Sequence, residues 1–105
     1  MTTLRMLRDR QGYWGFCCTG HSGYAESGED IVCAAISALT QFCVKFAEMQ
    51  KIGHILTARE EEAVLECRVT AFSQSFSDLL AVLEAAAADL QQQFPEYIQL
   101  EMMEV

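Results

Sequence analysis

Basic residues are scarce in this chain. Seven lysines and arginines stand against fifteen aspartates and glutamates, for a net charge of −8. Sequence-independent nucleic-acid binding needs clustered Lys and Arg to displace counterions, so direct nucleic-acid contact is not expected. The same deficit argues against anionic membrane surfaces. A cationic or apolar peptide is the easier partner. Proline occurs once, at Pro95, and low-complexity runs are lacking, which fits a folded domain over residues 1–105. No Cys-x-x-Cys pair offers a redox motif. No stretch is read as approaching the ~20 apolar residues of a membrane span. The first residues, MTTLRMLRDRQGYWGF, lack an uninterrupted apolar core and are not expected to be a signal peptide. The compartment expected is the cytoplasm. Five cysteines without a secretion signal are expected to be reduced thiols.

What is present is an alternation of strand and helix patterns. Thr3–Arg8 puts Leu4 and Met6 on one face, Asp9–Gly12 is a turn, and Tyr13–Thr19 puts Trp14, Phe16 and Cys18 on one face. Gly20 to Gly28 is polar, holds three of the chain's six glycines and reads as a loop. Asp30–Gln50 reads as a helix with Ser27 as N-cap and Val32, Ala35, Ile36, Leu39, Cys43 and Phe46 as its buried stripe, stopped at Gly53. His54–Arg59 and Ala63–Val69 read as strands around a solvated Glu60–Glu62 turn, with His54 exposed. Ser73–Gln93 reads as a second helix ended by Pro95, with Phe72, Phe76, Leu79, Leu83, Ala86 and Leu90 on its stripe. The last strand carries Ile98, Leu100 and Met102 on one face. The expected fold is α+β, a mostly antiparallel sheet with two helices in the order β-β-α-β-β-α-β.

His21 and Cys33 stand twelve residues apart across that loop. Cys33 lies about 100° around the helix from Val32, on the flank of the stripe beside Asp30, Ser37 and Thr40. An ordinary thiol, with a pKa of roughly 8.5, is mostly protonated at neutral pH. A neighbouring imidazole would take its proton and pair with the thiolate. His21 can do so if the loop folds back over the helix start. A buried structural thiol fits the same spacing, since cysteine is among the most commonly buried residues. A zinc site drawn from Cys17, Cys18, His21 and Cys33 fails on geometry, because adjacent strand residues point to opposite faces. No metal and no cofactor is expected.

Gly20, His21 and Gly23, then Gly28, Asp30, Val32, Cys33, Ala34, Ala35 and Ser37, form a long ordered match. It closely resembles the ribosomal-processing cysteine protease family, small bacterial proteins of about this length. The late Phe94–Ile98 segment and the element order agree. The resemblance implies a cytoplasmic homodimer that removes a short N-terminal extension from large ribosomal subunit protein twenty-seven, cutting after a pair of phenylalanines. It implies His21 and Cys33 as the catalytic dyad. Asp30 and Ser37 match motif positions and are candidate supporting residues. Gly20, Ser22, Gly23, Tyr24 and Gly28 would form the substrate loop. Ser22 departs from the alanine usual there, and Cys17 and Cys18 are idiosyncratic. The non-enzyme alternative is a ribosome-associated module that holds the precursor peptide without cutting it.

Overall fold

The computed structural model describes residues 1–20 and 27–105, and for residues 27–30 the backbone alone. The elements are β1 (Thr2–Arg8), β2 (Tyr13–Thr19), α1 (Ser27–Met49), β3 (His54–Arg59), β4 (Val64–Val69), α2 (Gln74–Gln93) and β5 (Ile98–Glu104). The class is α+β and the element order is the expected one. The five strands form one sheet in the order β3-β4-β2-β1-β5. Every neighbouring pair is antiparallel except β1 and β5, which run parallel.

The two-residue period of a strand sorts the sheet's faces. Leu4, Cys18 and Leu65 lie side by side in register, as do Met6, Phe16 and Cys67. This row closes against Val32, Ile36, Val44 and Ala47 of α1 and Phe76, Leu80, Leu83 and Ala87 of α2 in one core. On the opposite face Arg5 donates from Nε and Nη2 to Glu101 Oε2 at 3.1 and 3.0 Å. Gly15 sits where β2 meets β4. A Cβ there would run into the Cys67 carbonyl and the Arg68 Cα, so only glycine permits this pairing distance.

Several boundaries differ from the sequence reading. Helix α1 already includes Ser27, which therefore lies within the helix and not ahead of it. Its buried face is rotated from the expected stripe. Thr40 is fully buried, whereas Ala35, Leu39 and Phe46 are only half-buried. Burial costs Thr40 little, because its hydroxyl donates to the Ile36 carbonyl at 2.8 Å. The helix stops at Lys51 and not at Gly53. Lys51 takes a left-handed φ of 55°. Its N–H reaches the Glu48 carbonyl at 3.2 Å and the Ile52 N–H reaches the Ala47 carbonyl at 2.9 Å, the paired bonds of a Schellman ending.

Ala63, expected in β4, instead takes a left-handed φ of 53° in the turn before it. Phe72 precedes α2 and meets Trp14 edge-on, with ring centroids 5.7 Å apart. The α2 N-cap is Ser73, whose Oγ accepts from the Phe76 N–H at 3.2 Å. The buried face of α2 centres on Leu80 and Ala87. His54 is half-buried, its Nδ1 2.7 Å from the Ile52 carbonyl, and Met102 is exposed at the sheet's end.

One expectation is overturned by α1 itself. The nineteen residues Ile31–Met49 are long and apolar enough, by length and composition, to cross a bilayer. The reason is that α1 is apolar on two faces. One closes the core, and the other exposes Ile31, Phe42 and Met49.

Candidate active site

Cys33 is placed by two periodicities. Thr2, Leu4 and Met6 alternate onto the helix side of β1, and Cys18 does the same in β2. Helix α1 crosses the end of these strands with Val32 in the core and Cys33 one residue further round. Cys33 is therefore half-buried over the corner formed by Thr2, Cys18 and Gly20. The Thr2 Oγ1 lies 3.0 Å from its Sγ. A Cβ at Gly20 would come within 3.1 Å of the same Thr2 oxygen, so the end of β2 closes the corner tightly.

A groove of about 650 Å³ opens beside the thiol. One wall is α1, with Ser37, Gln41 and Val44. The other is the β3–β4 hairpin, with Leu56, Ala58 and Leu65. Its floor is apolar and its far rim carries Lys45, Glu48, Arg59 and Glu60. An extended chain with apolar side chains suits such a cleft.

Among the described residues, three thiols are held protonated by burial. Cys18, Cys43 and Cys67 are each pushed up to about 11, with burial the main cause. Cys17, on the opposite face of β2 from Cys18, is also raised, first by burial and then by Glu66. The described cysteines form no disulfide with one another. The Cys17 and Cys18 side chains diverge, as the strand argument against zinc requires. Cys18 and Cys33 both line the groove, whereas Cys43 and Cys67 are shut in the core.

The remaining sequence-predicted residues divide by location. His21, Ser22, Gly23 and Tyr24 lie outside the described residues. Gly28 and Asp30 fall on the first turns of α1, and the Asp30 side chain is outside the described set. Ser37 lies one turn beyond Cys33 on the groove wall, but its Oγ accepts from Gln41 Nε2 at 2.9 Å, a bond along the helix. Thr2 was missed by the sequence reading, which began β1 at Thr3. No local signal marks it, because its contact is with a residue thirty-one positions away.

The model of the cysteine protease Prp family matches residues 1–99. The chain belongs to the cysteine protease Prp family. Comparison with curated proteins finds no match. Among solved structures, the chain is similar to SMU.848 from Streptococcus mutans, with a TM-score of 0.85 at 22% identity, covering 100% of this chain and 96% of that one. It is also similar to the essential ribosomal processing protease Prp from S. aureus in complex with a substrate peptide. There the TM-score is 0.89 at 17% identity, covering 98% of this chain and 100% of that one. The same S. aureus protease with a covalently linked product peptide gives a TM-score of 0.84 at 18% identity, over 98% and 100% of the two chains. At these identities the likeness establishes the fold. The family match establishes a protease.

The contrast among thiols is directly measurable. On brief iodoacetamide treatment at neutral pH, mapped by peptide mass, Cys33 should be modified at least about tenfold faster than Cys18, Cys43 or Cys67. The buried thiols should gain reactivity only as pH rises toward 11. Equal labelling of Cys33 and the core cysteines would contradict this placement.

Proposed function

We propose that this chain is a cysteine endopeptidase that removes a short N-terminal extension from the precursor of large ribosomal subunit protein twenty-seven, acting in the cytoplasm. The observation that carries the reading is the position of Cys33, the only groove-lining thiol on α1, at the head of an apolar cleft in a chain of the Prp family. The S. aureus relative, a ribosomal processing protease seen with substrate and with covalently linked product peptide, supports the substrate class.

The chemistry is acyl transfer from peptide to thiol and then to water. His21 takes the Cys33 proton, and the thiolate attacks the scissile carbonyl. His21 then returns that proton to the leaving amine, which departs as the carboxyl-side product. Water, losing a proton to His21, attacks the thioester and releases the carboxylate and the thiol. Backbone N–H groups at the loop–helix junction hold the oxyanion, a contribution of about 3 kcal/mol per donor. Asp30 and Ser37 are supporting positions in this scheme. The loop residues Gly20, Ser22, Gly23 and Tyr24 close over the peptide, whereas Gly28, expected in that loop, lies in the first turn of α1.

The active form in this proposal is a homodimer, and the outer face of α1 supports it. Ile31, Ala38, Phe42 and Met49 fall within about 20° of one line along the helix. Ile31, Phe42 and Met49 are 61%, 66% and 73% exposed. Laid antiparallel on its own copy about residue 40, each Phe42 faces the partner's Ala38, large against small, and each Ile31 faces the partner's Met49. A two-fold interface requires such self-complementarity. The line lies on the side of α1 away from Cys33 and leaves the groove open.

Two experiments test these statements. Incubating the protein with the ribosomal precursor should shorten it after a Phe-Phe pair, while Cys33→Ala leaves it whole with the fold intact. Cleavage by Cys33→Ala would sink the nucleophile assignment, and an intact precursor that co-purifies with the parent protein would favour the binding-module alternative. Sedimentation of the parent should show a dimer that Phe42→Glu converts to a folded monomer. A monomeric parent would refute the dimer.

A further inference from the structure

The hydroxyl of Thr2 is fixed against the sulfur of Cys33. Thr2 is 3% exposed and its Oγ1 is 3.0 Å from Cys33 Sγ. Its backbone is anchored by the Thr2 N–H donating to the Tyr97 carbonyl at 2.9 Å and by pairing with Ile98 of β5. The hydroxyl is also hemmed in by Gly20, whose substituent space it occupies. It is thus delivered to the thiol by the sheet and not by a surface rotamer.

With a thiol, either atom of this pair can donate. With a thiolate only one can, because the sulfur has no proton left and the Thr2 O–H does. We infer that Thr2 is a positioning residue for the nucleophile, donating its hydroxyl proton to the Cys33 thiolate and holding the sulfur toward the groove. Hydrogen bonds to an ionised partner are stronger than neutral ones, so the contact favours the reactive form over the resting thiol. Once the sulfur is acylated it bears no charge, and the bond weakens. The contact therefore acts on the nucleophile before attack and does not trap the thioester. The catalytic use of this effect rests on the peptidase reading, but the contact itself does not.

Other groups face the same space. Cys18 approaches from β2, Ser37, Lys45 and Glu48 from α1, and Arg59 and Glu60 from the end of β3 and its turn. His21 belongs to the proposed dyad. None of them changes in a Thr2 variant, so a difference between variants that keep and lack the hydroxyl belongs to the hydroxyl.

The test is the pH profile of Cys33 alkylation by iodoacetamide, read by peptide mass, in the parent and in Thr2→Val, Thr2→Ala and Thr2→Ser. Thermal melting confirms that each is folded. In Thr2→Val, which replaces the hydroxyl by a methyl of similar size, the midpoint should move to higher pH and the neutral-pH rate should fall about tenfold. Thr2→Ala should match it. Thr2→Ser should return the rate to within about twofold of the parent. On precursor, Thr2→Val should lower kcat with the same pH displacement and leave KM unchanged. An unmoved alkylation profile in folded Thr2→Val or Thr2→Ala would overturn the assignment, and so would a Thr2→Ser profile that follows Thr2→Val. A displaced profile in a protein that cleaves no precursor would uphold the contact and overturn the peptidase reading instead.

Discussion

The seating of α1 on the sheet is the constraint from which the site follows. Val32, Ile36, Thr40, Val44 and Ala47 turn toward the strands and are buried. Once they are seated, the residue after Val32 has one place to go. It projects over the corner where β1 begins and β2 ends, and that residue is Cys33. A rotation of α1 by a single residue position, about 100°, would carry the thiol into the core or out to solvent. The strength of the core is therefore spent in part on aiming one sulfur atom. Ordered packing of this kind is more demanding than burial of the same apolar area would be.

The same seating separates three uses of one helix. Its inner face closes the core. The flank holding Cys33, Ser37 and Gln41 makes a wall of the groove. The outer line of Ile31, Phe42 and Met49 remains apolar and uncovered. This division explains why α1 passes for a membrane-crossing helix by composition. An amphipathic helix with one apolar face would not. The thiols follow the same partition. Cys43 and Cys67, turned into the core, are kept protonated by burial, whereas Cys33 lines the groove.

Much of the fold was legible because local pattern and tertiary structure agree. The alternation of Leu4 and Met6, and of Phe16 and Cys18, fixed both strands and their inner face. The spacing of Phe76, Leu83 and Leu90 marked α2, and Pro95 its end. The Gly20–Ser37 motif carried the candidate nucleophile and its family. What was illegible depends on distance in sequence. The rotation that buries Thr40 is set by the sheet beneath it, and a threonine whose hydroxyl is satisfied by its own helix looks polar in sequence yet behaves as core. The end of α1 fell at Lys51 because two backbone bonds and the packing of Ile52 outweigh the cost of a left-handed lysine. Thr2 could not be found at all, since nothing near it in the chain points to Cys33.

The central claim is that Cys33 attacks a peptide lying in the groove between α1 and the β3–β4 hairpin. The most direct measurement is a crystal structure of the protein treated with a peptidyl chloromethyl ketone ending in Phe-Phe. The account predicts one covalent bond, to Cys33 Sγ beside the Thr2 hydroxyl, with the inhibitor's side chains between Val44 and Leu56. Attachment to another cysteine, or a peptide bound to Cys33 but running outside the groove, would contradict it.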